Sequence, residues 1–241
     1  MESLFQFVAP PSQCGYLPHK AWQLEYVIVG ELSSDEYASH MRNGWRRFGH
    51  TLFRPRCRNC NACQSLRILA EAFRPNRSQR RCRKANEGVI QLRIGTPSAS
   101  RAKLDLYDRY HSFQSEFKNW PLHAPKDVSD YIQSFVENPF PTQEWCYYLG
   151  DRLVGVGYVD ALDDGLSGIY FFYDPEERSR GLGTWNILSL IEQAARQRLP
   201  YVYLGYYVAE CRSLAYKSSF VPNQVLDNQG QWRDYRVTHS E

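Results

Sequence analysis

Apolar and polar positions change period along this chain, and the changes mark its elements. Residues 24–30 form a short, partly β-branched apolar run, which predicts a strand. Ser33 with Glu36 three places on is a capping-box pattern, so a helix is predicted to run to Asn43 and stop at Gly44. Residues 64–73 alternate loosely and predict a strand, and the polar, basic residues 77–87 predict a helix. Val89, Gln91 and Arg93 interleave with Ile90, Leu92 and Ile94, the two-residue period of another strand over 88–94. Residues 98–118 are amphipathic at helical spacing, and a shorter helix over 126–138 is closed by Pro139 and Pro141. Residues 1–13 carry neither period and are predicted to be a loop laid on the body.

The second half reads differently. Strands 144–149 and 153–161 flank the turn pair Gly150-Asp151, and a further strand, 166–173, follows the turn Asp163-Asp164-Gly165. Trp185, Leu188 and Ile191 set helical spacing over 183–198, and a strand (200–206) and a short helix (209–219) follow. The predicted fold class is α/β (α+β), a mixed sheet flanked by helices. A change of character near residues 95–100 divides the chain into a basic, cysteine-bearing part, 1–97, and an α/β part, 98–241.

Between the strand ending at Tyr173 and the helix from Gly183 stands Arg178-Ser179-Arg180-Gly181-Leu182-Gly183, an R-x-x-G-x-G run. Gly181 and Gly183 let backbone approach a phosphate, the helix start offers free N–H groups, and Arg178 and Arg180 add charge. The order hairpin, strand, R-x-x-G-x-G, helix, strand, helix resembles the acyltransferase (GNAT-like) domain that binds acyl-coenzyme A and acylates amines. The same six residues would also serve a plain strand-to-helix turn.

Charge changes the picture most. The chain has 241 residues and a net charge of only +3, yet thirteen basic residues against one acid, Glu71, fall between Arg42 and Lys84. The remainder holds sixteen basic and twenty-five acidic residues. A one-sided block of this size points to an anionic partner. Twelve of the thirteen are arginine, whose planar fork suits phosphate and carboxylate. A composition 43% hydrophobic and 15% aromatic is globular rather than disordered. No apolar run approaches the roughly 20 residues needed to cross a bilayer. The N-terminus shows neither a basic n-region nor a long apolar h-region, so a cytoplasmic protein with no membrane partner is expected.

Cys57, Cys60 and Cys63 share two-residue spacing, with Cys14 available as a fourth thiolate, a set that can hold zinc or an iron–sulfur cluster. The alternative is a group of reduced, partly buried thiols. Cys82, Cys146 and Cys211 stand alone and read as packing residues. The six histidines show no pairing that suggests a catalytic triad.

Several motifs then combine: Cys14-Gly15-Tyr16-Leu17-Pro18, Gly44-Trp45-Arg46-Arg47-Phe48-Gly49, Arg54-Pro55 with the cysteine run, Ser65-Leu66-Arg67-Ile68 and Phe73-Arg74-Pro75-Asn76-Arg77-Ser78-Gln79-Arg80-Arg81. The second half adds Gly165-Leu166-Ser167, Phe171-Phe172-Tyr173-Asp174-Pro175, Tyr203-Leu204-Gly205-Tyr206-Tyr207, Tyr216-Lys217 and Phe220-x-Pro222. Together they resemble the bacterial aminoacyl-tRNA–protein transferases, in particular the aspartate/glutamate leucyltransferases related to eukaryotic arginyltransferases, from residue 14 to about 222.

The resemblance implies transfer of leucine from leucyl-tRNA to the α-amine of a protein beginning with Asp or Glu, marking that protein for degradation. The ester is already activated, so no cofactor is required, and no DNA is involved. By their places in the motifs, Arg46, Arg47, Arg80 and Lys217 are candidates for holding the acidic side chain. Arg77 and Arg81 join Arg178, Arg180, Gly181 and Gly183 as candidates for tRNA phosphates. Tyr203, Tyr206 and Tyr207, with Phe171, Phe172 and Tyr173, are candidates to wall the leucyl pocket or stack on the terminal adenine, or else are core, and Tyr206 is also a candidate catalytic residue. Asp174 and Glu210, each at the end of a strand, can hold the incoming ammonium or relay its proton, or serve as helix N-terminal charges. The opening C-G-Y-C of the eukaryotic relatives has Leu17 in its last place here, which leaves the metal ligand set open. Rival readings are arginyl-tRNA as donor, a coenzyme A-dependent N-acetyltransferase, and a zinc-ribbon nucleic-acid-binding protein without catalysis.

Overall fold

From its start the chain forms β1 (Ser3–Val8), the two-residue strands β2 (Ser12–Gln13) and β3 (Ala21–Trp22), β4 (Leu24–Val29), α1 (Ser34–Arg42), β5 (Arg46–Phe48), β6 (Thr51–Pro55) and β7 (Gln64–Leu69). Next come α2 (Arg77–Asn86), β8 (Ile90–Gly95), α3 (Arg101–Lys118), the single turn α4 (Val128–Tyr131) continued by a π-turn (Ile132–Val136), β9 (Thr142–Leu149), β10 (Arg152–Leu162) and β11 (Gly165–Tyr173). A 3-10 turn (Pro175–Arg180) leads into α5 (Leu182–Arg196) and β12 (Tyr201–Tyr207). The last elements are α6 (Arg212–Ala215), a 3-10 turn (Tyr216–Ser219), β13 (Asn223–Leu226) and β14 (Trp232–Asp234). This computed structural model describes residues 1–118 and 120–235. None of its helices is long and apolar enough to cross a membrane, among the described residues.

Eight strands form one mixed sheet in the order β14-β13-β7-β12-β11-β10-β9-β8. It is antiparallel except where β11 runs parallel to β12, the two strands that α5 links. Both faces are covered, so β10 is buried through most of its length and shows no polar face. On one face Leu188, Ile191 and Ala194 of α5 pack with Leu166 and Val202. On the other, Leu104 and Leu106 of α3 join Tyr131 and Phe135 over Val156, Tyr158 and Phe172. A second sheet, β1-β4-β6-β5, backs onto α1. Its core, from Val27 and Leu52 to Tyr37 and Met41, reaches Leu162 and Tyr203 of the large sheet.

The local signals are legible in these elements. Ser33 caps α1 with Glu36 in a reciprocal capping box, and Asn76 with Gln79 does the same for α2. One expectation is revised, and two further features add to the picture. Residues 1–13 are not simply a loop: Ser3–Val8 is an edge strand on β4, with all six residues exposed, so no burial period was there to read. The arginine-rich stretch after α1 contains the β5–β6 hairpin, whose side chains carry too much charge to look like strands. Finally, strands from both sides of the 97/98 division share the large sheet. β7 and β8 precede the division, yet β7 lies inside the large sheet between β12 and β13.

Candidate functional site

β11 and β12 pair only from Gly165–Ser167 against Tyr201–Tyr203. Beyond that point β11 follows β10 to Tyr173, while β12 follows β7 to Tyr207. The strands splay, and an opening of this kind leaves backbone groups free to orient an acyl group. α5 begins beside it. Gly181 takes a left-handed conformation (φ 66°, ψ 42°) at the helix start, and a Cβ on Gly183 would meet nothing within 4 Å, so the first turn stays uncrowded. α2 lies against this start: Asn86 Nδ2 donates to Arg180 O at 2.8 Å, and Cys82 Sγ lies 3.5 Å from the oxygens of Arg180 and Gly181. Arg77, Arg80, Arg81 and Lys84 are exposed on α2, and the α5 start is a place that favours phosphate.

The splayed end of β12 carries the most unusual electrostatics in the molecule. The register shifts between Tyr203 and Tyr206, and Gly205 adopts φ 76°, a conformation open to glycine. A Cβ built there would meet Lys217 Nζ at 3.8 Å and Arg46 Nε at 3.9 Å. The two cations thus face the same point. Arg46 is 6% exposed; it donates to Gly205 O at 3.2 Å, and its Nε has no partner. Lys217 donates to Tyr206 O at 2.8 Å. Neither forms an ion pair among the described residues. Burial, together with the neighbouring Arg46, pushes Lys217 down to about 7, and burial lowers Arg46 as well. Two half-desolvated cations without a carboxylate are costly unless an anion arrives.

Behind the ring of Tyr206 lies a cavity of about 420 Å³. The Tyr206 hydroxyl donates to Gly44 O at 3.0 Å, with Phe53 O at 3.2 Å, and the Arg46 guanidinium lies 5.9 Å from its ring centre.

Comparison with known proteins identifies the scaffold. The model of the arginine-tRNA-protein transferase N terminus matches residues 12–81, and that of the C terminus matches residues 102–227. The chain belongs to the arginine-tRNA-protein transferase family. Curated relatives named aspartate/glutamate leucyltransferase include one from Campylobacter jejuni, 38% identical over 91% of this chain and 92% of the relative. Another, from Nitrosococcus oceani, is 37% identical over 96% of both. Among solved structures, that of L-PGS from Bacillus licheniformis gives a TM-score of 0.42 at 14% identity, covering 75% of this chain and 52% of that one.

In this aminoacyltransferase the residues singled out by the sequence fall into different surroundings. Arg46 and Lys217 meet, as described, while Arg47 does not join them. Its guanidinium is fully buried against Asp160, at 2.8 and 2.9 Å. Arg80 is exposed and donates to Pro75 O. Asp174 is buried, caps the turn that starts at Pro175, and accepts from Arg152 at 2.7 Å. Glu210 is exposed in the turn after β12. Arg178 lies over Phe113, and Arg180 pairs with Glu177 at 2.7 Å. Tyr203 and Tyr207 are core residues, hydrogen-bonded to Asp164 and Tyr235.

Part of the basic block is neutralised internally: Glu25 accepts from Arg54 and Arg56, Arg47 pairs with Asp160, and Arg42 with Asp164. The sequence block overstated the anion-facing surface because its counter-ions lie elsewhere in the chain. Gly205 was the missed signal, since only the register shift reveals why a glycine is needed there.

All seven cysteines are free thiols. Cys14, Cys57, Cys60 and Cys63 line the cavity behind Tyr206. Burial, and then the other thiols, push Cys63 up to about 12, so its sulfur stays protonated. Cys57 Sγ is taken up by the backbone of Gln23. Among the described residues no group of three or more His, Cys, Asp or Glu side chains is disposed to hold a metal ion. No chemical step below runs through a metal.

Proposed function

We propose that the protein transfers leucine from leucyl-tRNA to the α-amine of proteins that begin with Asp or Glu. The observation that carries this reading is the unneutralised pair Arg46 and Lys217 facing one point beside Gly205, a site that wants a carboxylate. The names of the curated relatives support the same reading. The acceptor's acidic side chain lies between the two cations, and the α-amine then faces the splay of β11 and β12. The amine nitrogen attacks the ester carbonyl, the C–N amide bond forms, and the C–O bond to the terminal ribose breaks. The ribose oxygen leaves with the proton shed by the amine. An α-amine has a pKa of about 8, so a useful fraction is neutral at pH 7, and proximity supplies most of the rate. Arg77, Arg81, Arg178, Arg180 and the α5 start hold the tRNA end. The reaction belongs in the cytoplasm, and the added leucine marks the product for degradation.

The deciding assay offers leucyl-tRNA, arginyl-tRNA and acetyl-coenzyme A to peptides starting with Asp, Glu, Asn or Gln. Leucine should pass to Asp and Glu alone; acetylation, or indifference to the first residue, would overturn the reading. A charge-reversed pair on α2, Arg77→Glu with Arg81→Glu, should weaken tRNA binding at least tenfold and lower the magnitude of its salt slope by about 2. The KM for the peptide should hold, and filter binding across a salt series measures the rest. Acceptor affinity should also fall as pH rises from 7 to 9, because Lys217 loses its proton above about 7. Lys217→Arg, which keeps its charge, should flatten that fall in a calorimetric titration with an Asp-led peptide.

A further inference from the structure

The cavity behind Tyr206 has a composition unlike the rest of the basic half. Its walls include Leu17, Trp22, Leu24, Tyr26, Phe53 and Tyr206, and no Asp, Glu, Lys, Arg or His lines it. At about 420 Å³ it falls within the range of small-ligand sites. Tyr206 lines this apolar space, has the Arg46 guanidinium 5.9 Å from its ring centre, and accepts from Lys217 at its backbone oxygen.

We infer that this cavity receives the leucyl side chain of the donor ester and excludes a cationic one. The inference rests on the transferase reading above and names the pocket that sets its donor. The product of the reaction explains the layout. In it, leucine and the acidic residue become neighbours, with Cα atoms about 3.8 Å apart and, in an extended backbone, side chains on opposite sides. A carboxylate on the cationic side of Tyr206 and an isobutyl group on the apolar side satisfy that geometry across a single ring. An apolar side chain gains roughly ten- to a hundredfold from such burial. A guanidinium would be buried with no carboxylate to meet it, which the same walls penalise heavily. Arginyl-tRNA is thereby rejected by the wall and not by the tRNA.

The test uses the whole protein, an Asp-led peptide, and one leucine tRNA charged in turn with leucine, alanine and arginine. Wild-type kcat/KM should favour leucine over alanine by roughly a hundredfold. Thr51→Glu places a carboxylate on the cavity wall. It should raise the arginyl-to-leucyl ratio at least a hundredfold and lower the leucyl-to-alanyl ratio at least tenfold. Loss of fold lowers all three together and leaves both ratios unmoved, so ratios unchanged within threefold overturn the pocket. Should Thr51→Glu be inactive with every donor, Ala21→Glu on the exposed rim decides by the same ratios. If the wild-type protein passes none of the three amino acids to the peptide, the transferase reading itself falls; if it passes leucine and alanine equally, only the pocket does.

Discussion

Lys217→Met should leave the protein more stable and nearly blind to an acidic N-terminus. Methionine keeps the length and most of the apolar stem of lysine, so packing around Tyr206 survives. What is lost is the cation. Truncating one member of a buried charge contact costs about 2–5 kcal/mol, so kcat/KM for Asp- and Glu-led peptides should drop about a hundredfold. Peptides led by Asn or Gln should lose far less, and the preference for acid should shrink accordingly.

Stability should move the other way. Lys217 sits near 7 in the folded chain, below its ordinary 10.5. Between about 7 and 10.5 the unfolded chain holds a proton that the folded chain has released, so stability rises with pH across that window. Below it the full cost of a desolvated cation is present, and removing that cation should return on the order of 2 kcal/mol, after discounting for partial exposure. Melting curves at pH 6 and pH 10 check both signs: the variant should gain at pH 6 and show a flatter dependence. A variant that melts lower at pH 6, or keeps its preference for Asp and Glu, would contradict the anion site.

Asp160→Ala should be the most destabilising single change near the site. Asp160 and Arg47 are both fully buried, and Arg47 ties the small sheet to the large one. Its remaining N–H groups reach Gly49 O at 2.8 Å, Asn138 Oδ1 at 2.7 Å and Thr142 Oγ1 at 2.9 Å. Removing the carboxylate leaves a guanidinium in the interior without its counter-charge, which costs about 3–5 kcal/mol. For a chain of this length that corresponds to roughly 6–20 °C in Tm. Replacing both partners, Arg47→Met with Asp160→Leu, removes the charge and its penalty together and should recover most of the loss. Denaturant titrations of Arg47→Met, Asp160→Leu and the double variant give the coupling directly. A loss under 1 kcal/mol for Asp160→Ala would show that Arg47 is not held as described.

The contrast between Arg46 and Arg47 shows what a linear pattern can and cannot carry. Side chains alternate along a strand, so these neighbours on β5 point to opposite sides. One meets Asp160, more than a hundred residues away; the other meets Gly205 and Lys217. No feature of the dipeptide says which is which, because the decision lies with distant partners. Local signals fared better. The capping box at Ser33, the Gly150-Asp151 turn and the spacing of Trp185, Leu188 and Ile191 all act within a few residues and appear where expected.

The cation pair was half visible, since the motifs named Arg46 and Lys217 but could not exclude Arg47. The apolar cavity was less legible. Tyr206 stood out among the aromatics, but Trp22, Tyr26 and Phe53 come from strands whose pairing fixes their approach.

The threading of β7 has a consequence for how the chain is made. This strand is synthesised early, yet one of its neighbours, β13, ends at Leu226, close to the end of the described chain. While the ribosome is still at work, Leu66 and Ile68, fully buried in the finished protein, have no partner strand on either side. The seam on either side of β7 is therefore closed late, and a nascent chain stopped at residue 200 holds every arginine of the basic block but lacks both strands that flank β7.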